Sequence, residues 1–90
     1  MEKKRGRLEV IYDILSIIKD HKNSIKHTPL IRKSNLSTER FGQYYNELKE
    51  KDFVREIQNN QEKIITLTDK GFKFLEKYKT ITSFIDEFGL

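Results

Sequence analysis

The stretch that decides the fold is NLSTERFGQYYNELKEKDF, Asn35 to Phe53. Ser37 is an N-cap residue type, and Glu39 follows in the first turn, where a carboxylate suits the helix dipole. Phe41, Tyr45 and Leu48 then recur at helical spacing, with Tyr44 beside them at the edge. That predicts a helix over 37–50 whose apolar face is core. Thr38, Glu39, Arg40, Gln43, Asn46 and Glu47 are left on the outer face. Asp52, a residue tolerant of the left-handed conformation, ends the helix.

Working outward, TPLIRKS (28–34) predicts a short second helix, with Thr28 as N-cap and Pro29 at the first helical position. Ser34-Asn35 makes a turn of about three residues to the next helix, the spacing of a helix-turn-helix. Upstream, LEVIYDILSIIKD (8–20) has apolar residues at 8, 11, 12, 15 and 18, widened by Val10, Ile14 and Ile17. This is a helix that must be covered on several sides. Downstream the period changes. FVREI (53–57) and KIITL (63–67) are short β-type runs around the polar QNNQE, which predicts a hairpin. Thr68 then caps a long final helix with Asp69 in its first turn.

Ninety residues make one small domain. Hydrophobic and charged residues each make up 36% of the chain, which is lean for burial, so pairing with a second copy is expected to help. The absence of cysteine excludes disulfides and thiolate metal sites. No apolar run reaches membrane-span length and no signal-peptide pattern follows the basic start, so a soluble intracellular protein is expected. His21 and His27 lack metal-ligand spacing, and no nucleophile, paired-acid or glycine-rich phosphate motif supports catalysis. Neither a cofactor nor a small-molecule ligand is implied.

The net charge of +4 is concentrated. Residues 1–7 carry four cations and Glu2, giving +3, and residues 22–33 carry four cations and no acid, giving +4. Residues 8–21 and 34–50 carry −2 and −1, and 51–90 balance to zero. Two basic segments, the second running into the first helix of the helix-turn-helix, point to phosphate.

In the order helix, helix, turn, helix, hairpin, helix, this chain resembles the archaeal winged helix-turn-helix proteins. The resemblance rests on NLSTERFGQYYNELKEKDFV followed by KIITLTDKGFKFLEKY, with KRGRLEVIYDIL similar to the basic start and first helix of that group. It covers roughly residues 5–88. It implies a mainly α fold with a β-hairpin, α-α-α-β-β-α, in which Gly71 allows close packing. It also implies small basic DNA-binding proteins, nucleoid-associated in the cytoplasm, that dimerise through an extended C-terminal helix. Residues 1–7 are then a flexible basic arm, 8–68 the winged domain and 69–90 the dimerisation helix.

Carried onto this chain, the resemblance makes helix 37–50 the reader of a DNA major groove and Gln58–Lys63 the wing. Arg40 and Gln43 suit guanine and adenine edges, with Ser37, Thr38 and Asn46 alongside. Lys26, Thr28, Arg32 and Lys33 are expected around a phosphate at the start of the second helix, and Arg5 and Arg7 along the backbone or in a minor groove. Lys63 is the one wing cation, partly offset by Glu62. In the final helix, Phe72 and Leu75 are expected to face the winged domain. Phe74, Tyr78, Ile81, Ile85 and Phe88 follow 4-3-4-3 spacing, a seam for a homodimer. Double-stranded DNA is the expected partner, of a transcriptional regulator or a chromatin-associated factor. Glu39, Glu47 and Glu50 favour a competing reading, a winged-helix module that meets protein instead; the two basic segments oppose it.

Overall fold

A computed structural model describes residues 5–90, and the first part of the expected arm, residues 1–4, lies outside them. Helix α1 spans Arg7–Asp20, α2 His27–Ser34 and α3 Thr38–Glu50. Strands β1 (Val54–Asn59) and β2 (Glu62–Leu67) form an antiparallel hairpin, and α4 runs Asp69–Glu87. This is the expected α-α-α-β-β-α order of a winged helix with a C-terminal helix.

The core gathers one face from each element. Val10, Ile11, Ile14, Leu15 and Ile18 of α1 are buried against Leu30 of α2, Phe41, Tyr45 and Leu48 of α3, and Val54, Ile65 and Leu67 of the hairpin. Leu8, the first residue of the expected apolar stripe, lies outside it, 57% exposed. Ile25, in the stretch that breaks helical periodicity, is also buried and exchanges both backbone hydrogen bonds with Ile65, at 3.2 and 2.8 Å. It adds a one-residue third member to the sheet.

That bridge moves the start of α2. The chain leaves Ile25 extended and enters the helix at once. Lys26 is therefore the cap residue, and Thr28, expected as N-cap, is the second helical residue. Pro29 falls in third place, where a missing N–H is still harmless because the first four amides of a helix have no intrahelical acceptor. Asn35 closes α2 in the left-handed conformation, with φ of 59°, and turns the chain toward α3.

The remaining caps follow the sequence. Ser37 Oγ accepts from the Arg40 amide at 3.2 Å, and Thr68 Oγ1 accepts from the Gly71 amide at 3.1 Å while donating to the Asp52 carbonyl at 2.6 Å. Asp52 has φ of 64°, the left-handed turn expected of it. The hairpin is longer than the two apolar runs, because Asn60 and Gln61 alone make the turn, both at positive φ (49° and 69°). Two successive left-handed residues match the twist of the flanking strands.

Gly71 is buried, and a Cβ there would collide with the Phe53 carbonyl. This close approach sets the rotation of α4. Leu75 enters the core, and Phe74 packs edge-on against Phe53 with ring centroids 5.6 Å apart. Tyr78 stacks on Tyr12 of α1 at 4.4 Å. The expected division of α4 is thus corrected: Phe74 and Tyr78 lie against their own domain, whereas Phe72 is 38% exposed. From Lys79 onward the helix is exposed apart from half-buried Thr82. Among the described residues no helix is long and apolar enough to cross a membrane.

Candidate nucleic-acid interface

Three lines of side chains run along α3 outside its buried face. An α-helix aligns residues three and four apart, so Glu39, Gln43, Asn46 and Glu50 form the outermost line, all exposed. Arg40, Tyr44, Glu47 and Lys51 lie on the flank toward α1. Thr38, Gly42 and Lys49 lie on the opposite flank, toward the hairpin.

The α1 flank holds an ion-pair cluster. Both terminal nitrogens of Arg7 donate to the Glu47 carboxylate, one of them at 2.7 Å to Oε1. Lys51 donates to Glu47 Oε2 at 2.9 Å. The Arg7 and Lys51 hydrogen bonds hold the Glu47 carboxyl well below the usual range, at about 2, and the hydrogen bond to Glu47 raises the Arg7 guanidinium. Arg7, Arg40, Gln43, Tyr44 and Glu47 line a shallow depression of about 220 Å³ on this side.

The hairpin flank is organised by Glu56, whose position on β1 turns it to the same side as buried Val54. Tyr45 Oη donates to Glu56 Oε2 at 2.6 Å, His27 Nε2 lies 3.1 Å from the same oxygen, and Lys49 Nζ donates to Oε1 at 3.3 Å. The Tyr45 and His27 hydrogen bonds pull the Glu56 carboxyl down to about 2. Burial, together with the Glu56 carboxylate, pushes the Tyr45 phenol up. One carboxylate therefore joins α2, α3 and β1.

The expected basic residues divide into engaged and free. Arg5 is not a free arm residue: its guanidinium donates to Asp13 Oδ2 at 2.8 Å and to the Ser34 carbonyl at 3.0 Å. The Ser34 carbonyl ends α2, where backbone acceptors lack partners, and that need draws Arg5 in. Arg7 is the first residue of α1 and is held by Glu47, so it too departs from a loose arm. Lys26 Nζ pairs with Glu62 across 2.7 Å, so Glu62 offsets Lys26 rather than Lys63. Arg32 lies one turn beyond Thr28 on the same face of α2, and Lys33 follows it in the last turn. Of the four residues expected around a phosphate at the start of α2, Lys26 is thus engaged by Glu62.

Among the described residues Arg32, Lys33, Arg40, Arg55 and Lys63 form no ion pair. All are exposed, as are Thr28, Ser37, Thr38, Gln43 and Asn46. Arg55 was not anticipated from the sequence, though strand alternation signals it: it faces away from Val54 and Glu56. The Glu56 cluster was missed for a related reason. Period-two alternation turns Glu56 inward, but its partners come from elements up to 29 residues away.

A model of the winged helix-turn-helix family matches residues 4–86. The chain belongs to this family. As a winged helix-turn-helix protein it is similar in fold to Sso10a-2, a DNA-binding protein from Sulfolobus solfataricus. The TM-score is 0.74 at 19% identity, over 93% of this chain and 85% of that one. It is similar also to F93 from STIV, a winged-helix DNA-binding protein, with TM-score 0.74 and 20% identity over 88% and 91% of the two chains. SSV1 F-93 shares 27% identity over 98% of this chain and 99% of its own, with TM-score 0.70. No curated protein matches the chain by sequence.

Proposed function

We propose that this winged helix-turn-helix protein binds double-stranded DNA with α3 in the major groove, as a homodimer assembled through the exposed half of α4. The observation that carries the reading is the state of Glu47. In the sequence it is an acid on the reading face, repelling phosphate; in the fold Arg7 and Lys51 neutralise it. What α3 then offers outward is Arg40 for guanine O6 and N7, and Gln43 and Asn46 for adenine N6 and N7. Ser37 and Thr38 stand at the start of α3, where hydroxyls and amides suit phosphate oxygens. Arg32 and Lys33 of α2 and Lys63 of the wing, which form no ion pair among the described residues, supply the sequence-independent attraction. Glu39 and Glu50 form no ion pair among the described residues, so affinity comes more from these flanking cations than from α3 itself.

That Sso10a-2 and F93 from STIV are DNA-binding proteins supports the reading. The role is that of a transcriptional regulator or chromosome-associated factor. For the dimer, Ile81, Phe84, Ile85 and Phe88 are 37–63% exposed, with Phe84 and Phe88 in ring contact with each other at 4.8 Å. Burying them against a second copy contributes several kcal/mol at about 25 cal/mol per Å² of apolar area. A twofold pair presents two α3 helices to two half-sites.

The test is affinity for mixed-sequence duplex DNA across a salt series. Log affinity is expected to fall linearly with log salt, because neutralised phosphates release counterions. Absence of binding at low salt would sink the proposal.

A further inference from the structure

Two of the chain's glycines lie inside helices, and only one of them has a structural reason to be there. Gly71 is required by the Phe53 carbonyl pressed against it. Gly42 is different. It sits in the second turn of α3 with ordinary helical backbone, and a Cβ built on it meets no atom within 4 Å. A glycine inside a helix weakens it relative to alanine, because the unfolded chain gives up more freedom and no side chain supports the turn. Among the described residues no atom lies within 4 Å of the space that this weakness leaves.

The location of that space is specific. Thr38 lies one turn before Gly42 and Asn46 one turn after, both exposed. Gly42 is therefore a notch on the hairpin flank of α3, between two polar side chains of the candidate reading face. On the other side of Asn46, Lys49 is held back by Glu56 on β1 and lies 5.8 Å from the centre of the Tyr45 ring. Lys49, two turns along the same flank, is thus tied to the hairpin, and the exposed Glu39 three residues before Gly42 borders the notch.

We propose that Gly42 is a docking residue for the duplex: its missing side chain lets the α3 backbone come into van der Waals contact with the groove wall or a base edge on the hairpin side. This rests on the proposed DNA binding by α3 and adds to it a specific point of closest approach. A methyl group at 42 would hold the helix away from the groove and lengthen the contacts of its neighbours Thr38, Gln43 and Asn46. Because no charge is altered, the phosphate contacts of α2 and the wing would be left in place.

The test separates stability from binding in a single variant. Gly42→Ala is expected to raise Tm by about 4 °C, the sign of an unstrained helix position. It is expected to weaken duplex binding about tenfold, the scale of inserting one methyl into a close-packed contact. The salt slope should match the wild type. A loss equal on all sequences assigns the contact to sugar and phosphate; a loss confined to preferred sequences assigns it to a base edge. Raised Tm with wild-type affinity would overturn the inference, and so would lowered Tm, since the glycine would then serve the fold. Wild-type protein that fails to bind any duplex refutes DNA binding itself, an outcome read before the variant is made.

Discussion

Arg7, at the start of α1, holds the carboxylate of Glu47 on α3 through both of its terminal nitrogens, across 40 residues of chain. The pair ties the first helix to the candidate reading helix and masks one cation and one anion at once. Its effect on DNA binding has a definite sign. Glu47→Gln frees Arg7 and Lys51 while removing a negative charge from the proposed reading face. Affinity for mixed-sequence duplex should rise, and the slope of log affinity against log salt should steepen by about one phosphate's worth, near 0.9. Arg7→Ala should do the reverse. Titrations at several salt concentrations decide it; an unchanged slope in Glu47→Gln would place this corner of α3 away from the DNA.

The Glu56 cluster makes a prediction about stability and acid. Replacing Glu56 by Gln removes the charge that accepts from Tyr45, His27 and Lys49, at a cost of about 1–2 kcal/mol, or several degrees in Tm for a domain of this size. Glu56 titrates near 2 in the fold against an ordinary 4.5. Its contribution is therefore fully present above about 4.5 and is lost as pH falls from there toward about 2, because the unfolded chain takes up the proton first. Melting curves recorded down this range should show a shallower decline for Glu56→Gln than for the wild type.

Gly71→Ala should destabilise the protein by about 1–3 kcal/mol, because the new methyl must displace either the Phe53 carbonyl or the first turn of α4. Denaturant unfolding measures it. With Gly42→Ala, this makes a pair of helical Gly→Ala changes expected to shift stability in opposite directions.

Ile81→Asp should dissociate the proposed dimer and leave the monomer fold intact, since Ile81 is 58% exposed. Phe74→Asp, by contrast, should unfold the domain, since Phe74 packs on Phe53 and Tyr78. Mass in solution and circular dichroism together check both; a dimer unchanged by Ile81→Asp would rule out the exposed half of α4 as the interface.

Base reading and phosphate contact separate in a further pair of variants. Arg40→Ala should relax sequence preference, at about 1–3 kcal/mol for the preferred site. Lys33→Ala should weaken all sequences alike and reduce the salt slope by about one contact. A binding survey across random duplexes distinguishes the two.

Much of this architecture is local and was therefore legible in the residues. Ser37 and Thr68 cap helices because a hydroxyl reaches an amide only three residues on. Asp52 and Asn60 turn the chain because their short polar side chains tolerate positive φ. The spacing of Phe41, Tyr45 and Leu48 selected the buried face of α3 and so left Gln43 and Asn46 outside. Where a local signal misled, a distant contact intervened. Thr28 lost the cap because Ile25 is bound to Ile65, and Phe74 and Tyr78 pack on Phe53 and Tyr12 of their own domain because Gly71 lets α4 approach Phe53 closely.

The charge map shows the same division most sharply. Composition and position determined that cations cluster at 1–7 and 22–33 and that α3 carries acids. Only the tertiary structure decided which of them face solvent as charges. Arg5 is drawn to Asp13 and the end of α2, Arg7 to Glu47, and Lys26 to Glu62, while Arg32, Lys33, Arg40 and Lys63 form no ion pair among the described residues. The reason is physical. Caps and turns form between groups a few residues apart, whereas an ion pair depends on which elements the core brings side by side. Here the core places the start of α1 against α3 and the start of α2 against the wing, and neither neighbour is near in sequence.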